Sequence, residues 1–204
     1  MFSFRKIGFG VLVAAVIAGA AIGVPMLGGG DAQGGFGYAQ IVAGSWTPSD
    51  TGGAGAAAAY VINNGTYTLM PFEGVGAGAD ECAEFSWTLP QNYVNGSPLR
   101  VKAHWTVATG FGGAAETVQW DFFAESVSND AALGPAWGAG VAIPALTWTA
   151  DEDLYITDES GALTIGNTAS RGDSIDCRVC RDLSEDTMQG DALFKQIKIK
   201  YVVN

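Results

Sequence analysis

Two distant stretches of the chain, LRVKAHWTV (99–107) and KQIKIKYVV (195–203), alternate apolar and polar residues without a break. A β-strand turns successive side chains to opposite faces, so this alternation marks strands with one dry face and one wet face. In the first, Leu99, Val101, Ala103, Trp105 and Val107 point one way, and Arg100, Lys102, His104 and Thr106 the other. In the second, Ile197, Ile199, Tyr201 and Val203 point inward, and Gln196, Lys198 and Lys200 outward. AEFSWTL and ETVQWDFFAES follow the same rule, with Phe85, Trp87 and Leu89 on one face and Val118, Trp120, Phe122 and Ala124 on another. Asn63, Asn64 and Gly65 interrupt VINNGTYTLMPF, which is a hairpin signal, and Asn95-Gly96 makes a second turn. Short one-sided strands joined by such turns predict an all-β fold: an antiparallel β-sandwich, jelly-roll-like. Trp87, Trp105, Trp120, Phe122, Cys177, Ile197 and Ile199 are expected in its core.

One segment breaks this pattern. Residues 7–27 form an uncharged apolar run just after Arg5 and Lys6. As a helix it is long enough to cross a bilayer, with the two cations held on the cytoplasmic side. Ile7, Val11, Val13, Val16, Ile17, Ile22 and Leu27 are its candidate membrane-facing residues. An uncleaved signal anchor and a cleaved signal peptide both fit it; its length favours the anchor. The division expected is residues 1–30 as this hydrophobic helix, 31–59 as a Gly/Ala-rich tether with a first strand, and 60–204 as the sandwich.

Charge narrows the function. The chain carries a net charge of −11, and every Asp and Glu lies at or after Asp31. So acidic a domain repels nucleic acid, which removes DNA and RNA from the expected partners.

Cys177 and Cys180 form a C-x-x-C, a spacing shared by zinc and redox sites. On a strand, residues three apart face opposite sides, so the two cannot grip one metal together. Cys177 falls on the apolar side of SIDCRVCR, and Cys180 on the outer side as a surface or interface residue. Cys82 shares the outward parity of Cys180. Translocation would place both in an oxidising compartment, so a Cys82–Cys180 bridge is expected if their strands are neighbours.

Other candidates are thin. His104, the one histidine, lies on the wet side beside Lys102 with no acid or nucleophile near it in sequence. Asp151, Glu152, Asp153, Asp158 and Glu159 cluster; Asp151, Asp153 and Asp158 are candidate calcium ligands, but not at EF-hand spacing. Arg171-Gly172-Asp173 matches an adhesion tripeptide and also reads as a turn. A sugar-stacking platform would have to come from Trp46, Trp137 or Trp148. No cofactor and no catalytic residue is expected.

The succession GSWTP, EFSWTLPQNYVNGSPLRVKAHWT, ETVQWDFFAESVSNDAAL and CRVCRDLSEDTMQGDALFKQIKIKY resembles a family of small jelly-roll proteins encoded widely in tailed-phage and prophage genomes. The likeness runs from Ser45 to Tyr201 and is carried by structural residues. It implies virion association and no catalytic residue. With the N-terminal segment added, the expectation is a structural or display protein of a virion or cell envelope, carried on a membrane anchor and associating with copies of itself or with other structural proteins. The alternative is a secreted or surface module of a bacterium that binds a glycan or a partner.

Overall fold

The computed structural model describes residues 34–49, 52–74, 79–109, 115–129 and 137–204. The expected helix over 7–27, with its membrane-facing residues, lies outside them. Among the described residues no helix is long and apolar enough to cross a membrane.

Residues 32–204 form one compact unit built from two antiparallel sheets. In chain order the strands are β1 (Gly35–Val42), β2 (Thr47–Pro48), β3 (Ala58–Ile62), β4 (Gly65–Phe72), β5 (Glu81–Thr88) and β6 (Arg100–Thr106). They continue with β7 (Thr117–Val127), β8 (Val141–Thr147), β9 (Tyr155–Ile156), β10 (Ser174–Arg181) and β11 (Ala192–Val203). The first sheet runs β3-β4-β11-β6-β9, with β1 also paired to β11; the second runs β2-β5-β10-β7-β8. The chain is therefore an all-β sandwich.

β3 and β4 join through Asn63 and Asn64, at φ 45° and 66°, with Ile62 opposite Gly65. A two-residue hairpin with both φ values positive matches the twist of its strands, and Asn tolerates that conformation.

The strand residues predicted to point inward meet between the sheets. Trp105, Trp120, Phe122, Cys177, Ile197 and Ile199 are fully buried. Aromatic contacts tie one sheet to the other: Trp120 of β7 packs edge-on to Phe72 of β4 and Phe194 of β11, both at 4.9 Å. Trp46 stacks on Phe85 at 4.7 Å and leans on Phe194 at 4.8 Å. Each such side chain contributes about 1.5–3 kcal/mol of burial, and the rings interdigitate in one continuous core. Trp87 departs from the expectation. It is only partly buried, because it lies toward the sandwich edge against Tyr201, at 5.5 Å.

Within the stretch expected as a tether with a first strand, 31–59, the structure places β1 and β2. Gly35–Val42 pairs with the C-terminal half of β11, from Gly35↔Val203 to Val42↔Gln196. Small residues serve this strand rather than loosening it: a Cβ on Gly37 would come 2.3 Å from the Tyr201 ring, which packs against the bare backbone there. Thr47–Pro48 pairs with β5 in the other sheet, so this segment crosses between layers.

β10 carries one charge inward. Ile175, Cys177 and Val179 face the core, and the same parity continues to Arg181, which is 0% exposed. Its guanidinium donates from Nε and Nη2 to the two Asp186 carboxylate oxygens, at 2.7 and 3.1 Å. Nη1 donates to the carbonyls of Phe72 and Gly190, and Nη2 also to that of Met188. All five N–H groups of the fork are thus matched. They pin the loop between β10 and β11 to the end of β4.

Candidate functional site

The site is best built from the outer face of the first sheet. In antiparallel pairing, residues directly opposite share a face. Registers across β1, β11 and β6 set Tyr38, Lys200 and Arg100 in one row and Gln40, Lys198 and Lys102 in the next. A third row is Val42, Gln196 and His104, continuing to Ile156 of β9. A register shift between Phe194 and Gln196 adds Lys195 beside them. Of the eight Lys and Arg among the described residues, Arg100, Lys102, Lys195, Lys198 and Lys200 stand here. A cationic surface has formed on a strongly acidic chain.

Aromatic rings share this surface. Phe36 and Tyr38 are 57% and 53% exposed. Lys198 Nζ lies 4.4 Å from the Tyr38 ring centre, Lys200 Nζ 4.2 Å from that of Phe36, and Lys195 Nζ 5.1 Å from that of Tyr67. Cation–π attraction holds the lysines in place over the rings. One carboxylate answers them. Glu159 accepts from Lys200 Nζ at 3.2 Å through both oxygens and lies 3.8 Å from Arg100 Nε.

His104 is half-buried among these groups. Its Nδ1 is 3.0 Å from Gln196 Nε2, and Gln40 Nε2 donates to Gln196 Oε1 at 2.6 Å. Burial pushes the imidazole below its usual range, and Lys195, Lys198 and Lys102 push it further. It is therefore the neutral imidazole at neutral pH and serves as a hydrogen-bonded spacer between cations.

The remaining candidates are placed as follows. Cys177 is fully buried; burial, and then Asp176, raises its thiol well above the ordinary range. Cys180 is bonded to Cys82, with the two Cα atoms 4.1 Å apart across β10 and β5. Cys82 spends its backbone groups on Gly52, Ser49 and Ala54 on its other side, leaving the close, non-hydrogen-bonded kind of pair that suits a bridge. The expected surface or interface position of Cys180 is corrected: it is 6% exposed.

Among the described residues no three His, Cys, Asp or Glu side chains converge on a point that could hold a metal. Asp151 and Asp153 precede β9 and Asp158 follows it, and they do not converge into the calcium cage considered for them. Arg171, Gly172 and Asp173 form a turn, with Gly172 at φ 86°. The Asp173 carboxylate is occupied by Ser126 Oγ and the Ser170 N–H. Two of the three sugar-platform candidates are removed by burial: Trp46 and Trp148 are 6% and 3% exposed. The third, Trp137, carries Arg178 at 4.3 Å over its ring.

Sequence reasoning missed Phe36 and Tyr38, which lie in the stretch read as a tether, and Arg181 with Asp186. The continued parity of SIDCRVCR was a usable signal for Arg181. No signal within a single segment could have brought β1, β11 and β6 side by side.

No protein-family model matches the chain. No curated protein matches it. Among solved structures it is similar to Arthrobacter globiformis T6 isomalto-dextranase complexed with panose, at 17% identity and a TM-score of 0.44. That similarity covers 80% of this chain and spans 23% of the other.

Proposed function

We propose that the chain is a structural or display module of an envelope or particle surface, and that the outer face of β1, β11 and β6 is where it grips an anionic partner. The observation that carries this is the gathering of Arg100, Lys102, Lys195, Lys198 and Lys200 on one face of a chain with net charge −11. Charges of one sign kept together against the molecule's overall sign act as a steering and docking surface.

The strand pairing supports a jelly roll. β4 and β1 pair with β11, β5 with β10, β6 with β9 and β7 with β8. These are the nested pairs of one long ribbon folded over into two sheets, the winding used by many shell-building and surface-binding proteins. The Cys82–Cys180 bridge supports a compartment outside the reducing cytosol. The apolar run at 7–27 supports attachment to a membrane, with the acidic unit on the non-cytoplasmic side.

The test is fractionation of the native source, followed through the Lys102→Glu/Lys198→Glu variant. The reading expects the wild type in particles or envelope membranes, and a several-fold drop in incorporation for the variant. Equal incorporation of the two, or wild type found only as free protein, would overturn it. A glycan-binding module is the second reading, favoured by the exposed rings of Phe36 and Tyr38. Retention on neutral glycans that persists at high salt and is lost in Tyr38→Ala would put it first.

A further inference from the structure

The face opposite the cationic one carries the complementary charge. Trp120 and Phe122 of β7 are buried in the core, so Asp121 between them points out of the second sheet. It sits across from Cys180. Asp80, Asp182 and Glu185 lie near enough to act on its charge. Asp80 Oδ1 accepts the Leu183 N–H at 3.0 Å, and Asp182 Oδ1 accepts Ser184 N–H and Oγ, so the 182–185 loop is held beside Asp80. Burial raises the Asp121 carboxyl, and repulsion from Asp182, Asp80 and Glu185 raises it further. Arg181, next in sequence, gives no relief, because its guanidinium is turned inward to Asp186.

We infer that the anionic partner of the cationic face is the Asp80, Asp121, Asp182 and Glu185 face of a second copy of this chain. The inference rests on reading the cationic face as the contact surface. Its geometry follows from the two layers. The outer faces of a sandwich point in opposite directions, so joining them repeats head to tail. A two-fold dimer through the cationic face would set five cations and the single Glu159 carboxylate against the same set, a net repulsion. The heterologous contact brings Lys102 and Lys198 toward carboxylates and leaves the pair with one unused face of each sign, one on each copy. Such a contact builds rings or open stacks rather than closed pairs. Phe36, Tyr38 and Val42, exposed on the same face, add apolar area along its β1 edge.

The experiment uses the full-length protein in a non-ionic detergent, with sedimentation velocity as the readout. One variant reverses the cationic face (Lys102→Glu/Lys198→Glu), the other the acidic face (Asp121→Lys/Glu185→Lys). Each is first shown to melt as the wild type does. Should Asp121→Lys fail that check, Asp80→Lys/Glu185→Lys replaces it. The wild type is expected to associate in a way that weakens at least about tenfold between about 0.1 and 1 M salt, as screening shortens from about 10 to 3 Å. Each variant alone is expected to stay monomeric, and an equimolar mixture to associate again as alternating copies. Association of either variant alone at the wild-type level, or a mixture that stays monomeric, overturns the inference. Dextran sulfate, a polyanion, is the separating probe. If it is retained by the wild type and not by Lys102→Glu/Lys198→Glu while stacking fails, the contact face stands and its partner is another anionic molecule. If it is not retained by the wild type, the contact face falls as well.

Discussion

Replacing Arg181 with Met keeps much of its length and removes all five donors. The structure sets what is then left behind. Asp186 stays in a site where its side chain is 0% exposed, keeping only the Met188 N–H at 2.7 Å, and the carbonyls of Phe72, Gly190 and Met188 lose a cationic donor. Breaking a buried pair from one side costs about 3–5 kcal/mol, mainly because the surviving charge stays buried. For a domain this size that is a fall in Tm of about 6–20 °C, at roughly 2–4 °C per kcal/mol. Changing both partners, Arg181→Met with Asp186→Asn, removes both charges and should cost less than the sum of the single changes. The expected coupling is about 1.5–3 kcal/mol. Urea unfolding of the four proteins of this cycle, under non-reducing conditions, gives each value. A loss below about 1 kcal/mol for Arg181→Met, with additive effects in the double variant, would refute the claim that the guanidinium holds the β10–β11 loop to β4.

Four other outcomes follow from the same structure. Reducing the Cys82–Cys180 bridge, which closes a loop of 98 residues, should cost up to about 4.7 kcal/mol. Cys177 should meanwhile stay unreactive to thiol reagents until the protein unfolds; both are read by denaturation with and without reductant. Gly37→Ala should cost about 1–3 kcal/mol, since its Cβ meets the Tyr201 ring, and the cost should shrink in a Tyr201→Leu background. Asp121 has a folded pKa raised above its ordinary 3.8 by burial and then by neighbouring carboxylates. Its ionisation therefore disfavours the fold as pH rises through that raised value, and the penalty is absent below the unfolded value. Asp121→Asn should be more stable than wild type at pH 7, and the gap should close as pH falls below about 3.8; melts at both ends measure it.

Alternation made the interior strands legible. β5, β6, β7, β10 and β11 each read as period-two runs because one face of each is dry, and Asn63-Asn64-Gly65 marked its hairpin through positive φ. β2 and β9, two residues each, are too short for any period to show. β1 was hidden for a different reason. GFGYAQIV has glycines where a strand usually has bulk, and it becomes a strand through pairing with β11 and through Tyr201 filling the space over Gly37. Trp46 and Trp148 lie outside the alternating runs, so parity said nothing of their burial. The site was legible only in fragments. Arg100, Lys102 and His104 read as outward on one segment, and Lys198 and Lys200 on another. That they form one surface depends on β6 lying against β11, a pairing between segments far apart in the chain.

The position of β11 sets the order in which this domain can be made. It is the middle of the first sheet, bordered by β1 and β4 on one side and β6 on the other. A chain emerging from the ribosome at about 5–20 residues per second has the flanking strands long before it has the one that joins them. Until residues 192–203 are synthesised, three strands wait with open edges and the loop that Arg181 anchors has no far wall. Contacts this distant in sequence make for slow closure. The first sheet therefore stays open-edged through most of the chain's synthesis. In a crowded cytosol those open edges are a hazard until the last strand arrives.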